Sequence, residues 1–248
     1  MTRPGLKDRI RSGERLRGLL VRLPAAMLID MAGSCGFDFV LLDTEHGAAD
    51  ERLVAEHVTA ARAAGIPILV RVGEGESSRA LRVLDAGGDG IVVPHVSDAE
   101  QAEVAVRGAH YPPRGDRGFA TYTAAGRWGR TSAAAHLEAA AATTVVVAMI
   151  EDLAGVEHAD GIVQTPDLDV VWVGPADLAV SCGLDTRRAS AALRTVWATA
   201  RAAEVAVMAI ATTVDEATAA FDGGAQLVVL NAQGAIDRCL DHWVTQLR

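Results

Sequence analysis

Short apolar runs alternate with longer, alanine-rich stretches along almost the whole chain. The runs are four to six residues long and rich in Val, Ile and Leu, which is typical of strands buried on both faces of a parallel sheet. Eight runs are predicted as strands, at residues 18–22, 38–42, 68–72, 90–93, 145–150, 170–173, 205–210 and 227–230.

The stretches between these runs have helical length, and several begin with Asp or Ser and end near Gly, as helix caps prefer. They predict helices at residues 25–33, 50–64, 77–86, 98–109, 132–142, 187–203, 213–221 and 234–246, with a short helix after Glu151. Eight strand–helix units in 248 residues predict one α/β domain over residues 1–248, a (β/α)₈ TIM barrel.

A doubly wound open sheet is the alternative to a barrel. Such a sheet normally carries a G-x-G-x-x-G turn after its first strand. This chain has Leu23-Pro24-Ala25 at that place, so the barrel is the preferred prediction.

Composition and charge narrow the classes of partner. The formal net charge is −9 and no basic stretch is interleaved with aromatic residues, so we expect no nucleic acid and no membrane partner. No apolar run approaches the roughly 18 residues of a membrane span. Residues 1–17 are mixed and charged without the apolar core of a secretory signal, and a cytoplasmic enzyme is therefore expected.

Cysteine and histidine add little to the choice of function. Three cysteines without a C-x-x-C pair favour neither disulfides nor structural zinc, and we expect them to be reduced and buried. Most histidines lie on predicted helices or turns and are expected to face solvent. These cysteines and histidines are Cys35, Cys182, Cys239, His57, His110, His136, His158 and His242.

Polar residues gather at the carboxyl ends of the predicted strands, where barrel enzymes assemble their active sites. They are Asp43, Glu45, His46, Arg71, His95, Glu151, Asp177 and Asn231. Because these strand ends meet on one rim of a barrel, residues far apart in the sequence converge on one site.

Glu151 and Asp177 follow two neighbouring strands. They could cap the helices that follow, act as an acid–base pair, or bind Mg²⁺ or Mn²⁺ through hard carboxylate oxygens. Burying two like charges without a metal or a cation would be expensive. This cost favours a divalent metal site.

His46 and Arg71 offer complementary chemistry on the same rim. His46 comes three residues after Asp43 and could donate one ring N–H to that carboxylate while its other nitrogen acts as a base. Arg71 is either a structural ion-pair partner or an anchor for a substrate anion, such as a carboxylate or an enolate oxygen.

Six segments carry a resemblance to a known family: FDFVLLDTEH at 37–46, VRV at 70–72, VPHV at 93–96, YPPRGDRG at 111–118, IE at 150–151 and VGPADL at 173–178. Their order and spacing resemble the HpcH/HpaI aldolase and citrate lyase family. Within it, the chain resembles the metal-dependent, class II aldolases of 2-keto-3-deoxy-sugar acids and 4-hydroxy-2-oxo acids.

The resemblance implies a TIM barrel of the phosphoenolpyruvate/pyruvate type and a carbon–carbon lyase that cleaves or forms 4-hydroxy-2-oxo acids through a pyruvate enolate. It implies that Glu151 and Asp177 ligate a divalent metal ion, which could be Mg²⁺, Mn²⁺ or Co²⁺. Arg71 would stabilise the enolate oxygen, and His46, oriented by Asp43, would be the base.

The resemblance also implies a carboxylate-binding segment and an assembly. The substrate carboxylate would lie at Gly174, Pro175, Ala176 and Asp177, held by backbone N–H groups around this helix start, a use that helix N-termini favour. The family suggests a homo-oligomer, a hexamer, in which the C-terminal helix at about residues 234–246 packs on a neighbouring subunit. The partners are then pyruvate or another 2-oxo acid and an aldehyde.

Lysine is almost absent, and this excludes another aldolase mechanism. A Schiff-base aldolase needs a lysine at the barrel mouth. Lys7 is the only lysine and precedes the first predicted strand.

Departures from the family pattern leave the acceptor open. Met149 stands where many members carry Gln, and the segments 119–130 and 230–233 are unusual. We expect these regions to contact the aldehyde half of the substrate.

Two other functions are considered. The same enolate site could decarboxylate oxaloacetate-like acids or cleave an acyl-CoA such as a citramalyl compound, with the arginines of the loop 111–130 holding the CoA phosphates. Those arginines are Arg114, Arg117, Arg127 and Arg130. A barrel that binds without catalysis is the other possibility, against which the intact set of polar strand-end residues argues.

Overall fold

The computed structural model describes residues 4–48 and 50–247. Its eight strands run parallel and close in sequence order into a barrel. They are β1 Leu16–Val21, β2 Phe39–Asp43, β3 Ile68–Arg71, β4 Gly90–Val93, β5 Val145–Ile150, β6 Val170–Val173, β7 Ala206–Ala211 and β8 Leu227–Asn231. Every predicted strand is present with its ends shifted by at most two residues, and the predicted TIM barrel is confirmed.

The helices of the described chain surround this barrel. They are α1 Leu6–Arg11, α2 Ala26–Cys35, α3 Glu51–Ala64, α4 Ser77–Asp85, α5 Ala99–Ala109, α6 Ala133–Thr143, α7 Leu153–Glu157, α8 Ala159–Val163, α9 Pro175–Ser181, α10 Thr186–Ala202, α11 Val214–Gly223 and α12 Ala232–Gln246. The eight long predicted helices and the short α7 are confirmed, and α9 begins at the helix start that the resemblance implied; α1 and α8 were not predicted. None of these helices is long and apolar enough to cross a membrane.

Alternate residues of each strand point into the barrel or outward onto the helices. On β2, Leu41 belongs to the cluster that fills the barrel, whereas Leu42 packs in the layer between strands and helices. The same two-residue period continues to the strand ends. It places the side chains of Asp43, Arg71 and Glu151 on the inner face at the carboxyl end, which we call the mouth.

The amino-terminal end of the barrel is closed by α1. Leu6 and Ile10 belong to the interior cluster, and Lys7 Nζ donates to the Thr144 carbonyl at 2.7 Å and to Asp169 Oδ2 at 2.9 Å. Thr144 and Asp169 directly precede β5 and β6, so Lys7 is buried at the end remote from the mouth. Lys7 is thus out of reach of a substrate at the mouth.

The long loop at residues 111–130 lies at this same remote end. Arg117 Nη2 donates to Asp85 Oδ1 at 2.8 Å, and the Ala125 N–H donates to the Asp85 carbonyl at 3.1 Å. Asp85 ends α4, and a helix-to-strand connection belongs at the amino-terminal end of a barrel. Within one chain the loop therefore lies away from the mouth, and the expectation that its arginines bind CoA phosphates there is wrong for the same chain. Contact of segment 119–130 with the aldehyde half stays a prediction.

Several expectations of exposure are also wrong. His57, His110 and His136 are buried, while Cys35 and Cys239 are exposed. Burial of a histidine is tolerated where its ring finds a partner. His57 Nδ1 lies 2.6 Å from the Leu53 carbonyl and His136 Nε2 lies 3.0 Å from the Tyr111 hydroxyl.

Candidate active site

The mouth is organised around an ion pair between Asp43 and Arg71, which lie opposite each other on β2 and β3. Arg71 Nε donates to Oδ1 at 2.9 Å and Nη2 to Oδ2 at 2.5 Å, and both side chains are buried. The Trp172 ring lies 5.7 Å from the Arg71 guanidinium carbon. Burial alone would raise the pKa of Asp43, but hydrogen bonds and charge from Arg71 and Arg22 outweigh it and lower the pKa.

Asp43 does not orient the His46 ring. Its carboxylate also accepts from Arg22 Nε at 2.7 Å and from the backbone N–H groups of Glu45 and His46 at 3.2 Å. The described residues contain no hydrogen bond from the His46 ring to Asp43, and the ring lies 3.9 Å from Glu45 Oε2. The predicted ring contact is wrong because two guanidinium groups, which are stronger charge-assisted donors, occupy the carboxylate.

Glu45 and His95 enter the site although no role was assigned to either. Glu45 Oε2 lies 3.1 Å from Arg71 Nη1, and its Oε1 lies 3.4 Å from His95 Nε2. The His95 N–H donates to Glu151 Oε2 at 3.1 Å, and its ring Nδ1 lies 3.5 Å from the same oxygen. His95 has a φ of 54°, which is uncommon for a residue with a side chain. Their strand-end positions were the available sequence signal.

Glu151 continues the inward face of β5 and is buried. Its carboxylate lies against Gly174, where an added Cβ would overlap Glu151 Oε1 and lie 2.8 Å from its Cγ. Burial raises the pKa of Glu151, and the charges of Asp177 and Glu45 raise it further despite the N–H of His95. The protein therefore leaves negative charge here without full compensation.

Asp177 lies in the first turn of α9 and is exposed. Both strand-end carboxylates were expected to be buried. Glu151 is buried, but the expectation is wrong for Asp177. Asp177 comes four residues after the end of β6, so it lies on a helix surface rather than on the inner face of a strand. The two carboxylates nevertheless interact, since the charge of Asp177 raises the pKa of Glu151.

These two carboxylates fit a divalent cation of the magnesium type. Within residues 4–48 and 50–247 no group of three or more His, Cys, Asp or Glu could hold a metal. Enzyme sites for Mg²⁺ commonly use one or two carboxylates, with water and substrate completing the octahedron. A cation bound by Glu151 and Asp177 would offset the charge that raises the pKa of Glu151.

The start of α9 offers fewer carboxylate-binding donors than predicted. Pro175 has no N–H, and the Gly174 N–H donates to the Ile150 carbonyl at 3.1 Å. Of the four residues named for this role, Ala176 and Asp177 keep N–H groups at the first turn of α9. The N-cap residue is Gly174, which has no side chain that could accept a hydrogen bond from these N–H groups.

Met149 forms the floor beside Arg71. Its Sδ lies 3.7 Å from Arg71 Nη1, and it pairs in register with Trp172 of the next strand. A thioether is a weak acceptor, so this floor constrains the guanidinium by packing more than by hydrogen bonding.

Comparison with known proteins identifies the family. The family model described as HpcH/HpaI aldolase/citrate lyase matches residues 17–236. The chain belongs to this family. A hydroxypyruvate/pyruvate aldolase from Pseudomonas aeruginosa is 36% identical over 179 residues, which are 71% of this chain and 66% of that protein. Another, from Paraburkholderia phytofirmans, is 32% identical over 237 residues, 92% of this chain and 90% of that protein.

The fold agrees with the same assignment. The crystal structure of an HpcH/HpaI aldolase/citrate lyase family protein from Burkholderia cenocepacia J2315 matches with a TM-score of 0.92 at 30% identity and covers 98% of both chains. The resemblance inferred from six segments is thereby confirmed, and the predicted enzyme class, a carbon–carbon lyase, agrees with the names of these relatives.

The contact between Gly174 and Glu151 yields a stability prediction. The backbone at 174 has φ −75° and ψ 101°, which alanine tolerates, so Gly174→Ala should act through overlap with the carboxylate. We expect a loss of about 1–3 kcal/mol of unfolding free energy, measured by urea denaturation. Gly108→Ala, where a Cβ meets nothing within 4 Å, should be neutral or stabilising by up to about 1 kcal/mol. Wild-type stability in Gly174→Ala would contradict the contact.

Proposed function

We propose that this protein is a metal-dependent aldolase that cleaves or forms 4-hydroxy-2-oxo acids through a pyruvate enolate. The observation that carries the proposal is the buried Glu151 carboxylate, whose charge is incompletely compensated and which lies within electrostatic reach of Asp177 and Arg71. Relatives named hydroxypyruvate/pyruvate aldolase support pyruvate as the donor.

Each residue has a distinct task at the donor end. Glu151 and Asp177 would hold a divalent ion, whether Mg²⁺, Mn²⁺ or Co²⁺, and this ion would supply Lewis-acid chemistry toward the 2-oxo acid. The N–H groups of Ala176 and Asp177 orient the carboxylate. Arg71, fixed by Asp43, stabilises the negative charge that develops on the enolate oxygen, and because it is held in place it needs no reorganisation during the reaction.

His46 is assigned as the base that removes the proton from the 4-hydroxyl in the cleavage direction. Its ring is 59% exposed, so it can reach a substrate that enters from solvent. The carboxylate beside its ring is that of Glu45 and not that of Asp43. His46 Nε2 lies 3.9 Å from Glu45 Oε2. Asp43 acts indirectly, by holding the His46 backbone and Arg71.

The fold disfavours the acyl-CoA alternative. The loop that was to hold CoA phosphates lies at the amino-terminal end, with Arg117 buried against Asp85. Decarboxylation of an oxaloacetate-like acid would use the same enolate site, and nothing in the geometry favours it over aldol chemistry.

We also propose a homo-oligomer, with a hexamer as the family expectation. In α12, Ala232 is the buried residue, and a stripe of apolar side chains is exposed. The stripe consists of Ile236, Leu240, Trp243, Val244 and Leu247. Its spacing keeps these side chains on one face of a helix, and such a face is best covered by a second copy of the chain.

Pyruvate methyl exchange tests the function. Metal-loaded protein in D₂O should exchange the methyl protons of pyruvate, observed by NMR, and EDTA should abolish the exchange. Glu151→Gln and Arg71→Gln should slow it by about 100-fold or more, whereas Asp215→Asn, an exposed carboxylate of α11, should leave it unchanged. His46→Asn should retain exchange but lose aldol cleavage. Wild-type exchange in Glu151→Gln would contradict the proposal.

The oligomer is tested by the mass of the protein in solution. The wild type should sediment as an oligomer, and Leu240→Glu should shift it toward smaller species because a charge cannot be buried unpaired in an apolar contact. Thr245→Glu, on the opposite face of α12, is the matched control and should sediment as the wild type does. A monomeric wild type, or an unaffected Leu240→Glu, would exclude this role for α12.

A further inference from the structure

Arg22 is a second arginine at the mouth to which the proposed function gives no task. It follows the last residue of β1, and its side chain continues the inward-facing positions Leu16 and Leu20. Its Nε donates to Asp43 Oδ2 at 2.7 Å. Arg22 therefore enters the site from the side of β1.

The far end of this guanidinium is open to a ligand. Within residues 4–48 and 50–247 neither terminal nitrogen of Arg22 has a hydrogen-bond partner, and the side chain is 24% exposed. Asp43 is shared between Arg22 and Arg71, and its contact with Arg22 is through Nε alone. Two terminal nitrogens in one plane match the two oxygens of a carboxylate or phosphate.

The position of Arg22 says which part of a substrate it meets. In a closed barrel β1 is four strands from β5 in either direction, so Arg22 lies across the mouth from Glu151. Under the proposed function, on which this step rests, the pyruvate half binds at Glu151 and Asp177. The 4-hydroxyl then meets His46, after β2, and the chain beyond it extends toward β1.

We propose that Arg22 determines acceptor specificity by binding an anionic group, a carboxylate or a phosphate, on the aldehyde. Asp43 anchors the Nε side of the guanidinium, so the terminal nitrogens are held ready for the ligand and lose little freedom on binding. Arg22 remains charged throughout and transfers no proton. It acts on binding of the acceptor, and the carbon–carbon bond still forms at the aldehyde carbon.

Aldol addition to pyruvate with matched acceptors tests this assignment. The pairs are glycolaldehyde with glyoxylate, and glyceraldehyde with glyceraldehyde 3-phosphate. Arg22→Gln should lower kcat/KM for the anionic member by about 10- to 100-fold, mostly through KM, and change the neutral member less than about threefold. Arg22→Lys keeps the charge without the planar fork and should be intermediate. A larger loss of kcat/KM for glyoxylate indicates a carboxylate ligand, and a larger loss for glyceraldehyde 3-phosphate indicates a phosphate ligand.

Arg52→Gln is the control, because it makes the same change in net charge on the exposed surface of α3 and should behave as the wild type. An equal loss for charged and neutral acceptors would overturn the proposal, since Arg22 would then act only by supporting Asp43. Unchanged kinetics in Arg22→Gln would overturn it as well.

Failure of the aldolase proposal is recognised separately, by absent pyruvate methyl exchange in the wild type. Calorimetric titration of the metal-loaded protein with glyoxylate and with glyceraldehyde 3-phosphate then still tests Arg22. The anion site is supported if the wild type binds at least one of the two compounds and Arg22→Gln binds that compound about tenfold or more weakly. Equal affinity of the two proteins for both compounds contradicts it.

Discussion

Two hydrogen bonds join Asp43 to Arg71 across neighbouring strands, and the positions of the charged groups around them depend on this pair. Removing one partner of such a buried pair generally costs about 3–5 kcal/mol, because the other charge is left unpaired. Arg71 also lies beside Trp172 and Met149, which restrict its guanidinium further. In the proposed function this guanidinium stabilises the enolate oxygen. Because folding already holds it in place, it does not reorganise during the reaction.

The other half of the mouth has the opposite electrostatic character. Glu151 is buried with a raised pKa and lies against a residue without a side chain, Gly174. Asp43 has two guanidinium partners, whereas Glu151 has a backbone N–H and the weakly placed ring of His95. Positive charge is thus supplied by the protein at β2 and β3, and under the proposed function it would come from a bound cation at Glu151 and Asp177. The proposed pair of a cation and an anionic 2-oxo acid would complement both halves.

The sequence predicts the barrel well because both faces of its strands are buried, so each strand is a continuous apolar run. The same period, extended past the strand ends, places Asp43, Arg71 and Glu151 on one rim. It would also have identified Arg22, two residues beyond Leu20 on the inner face of β1. Contacts of the His46 ring could not be predicted, because they depend on which donors compete for Asp43.

Other differences have equally specific causes. Segment 119–130 was expected near the aldehyde because it departs from the family pattern, but a connection from α5 toward β5 lies at the amino-terminal end of its own barrel. Helix α1 is six residues long, too short to be stable alone, and exists because Leu6 and Ile10 close the barrel. Asp177 was treated as a strand-end residue although Pro175 already begins α9.

Mn²⁺ binding measures whether Glu151 and Asp177 together hold one divalent ion. Mn²⁺ is titrated into metal-depleted protein, and free ion is followed by electron paramagnetic resonance. We expect one site per chain, weakened about tenfold or more in both Glu151→Gln and Asp177→Asn, with Asp215→Asn binding as the wild type does. Wild-type affinity in either of the first two variants would contradict it.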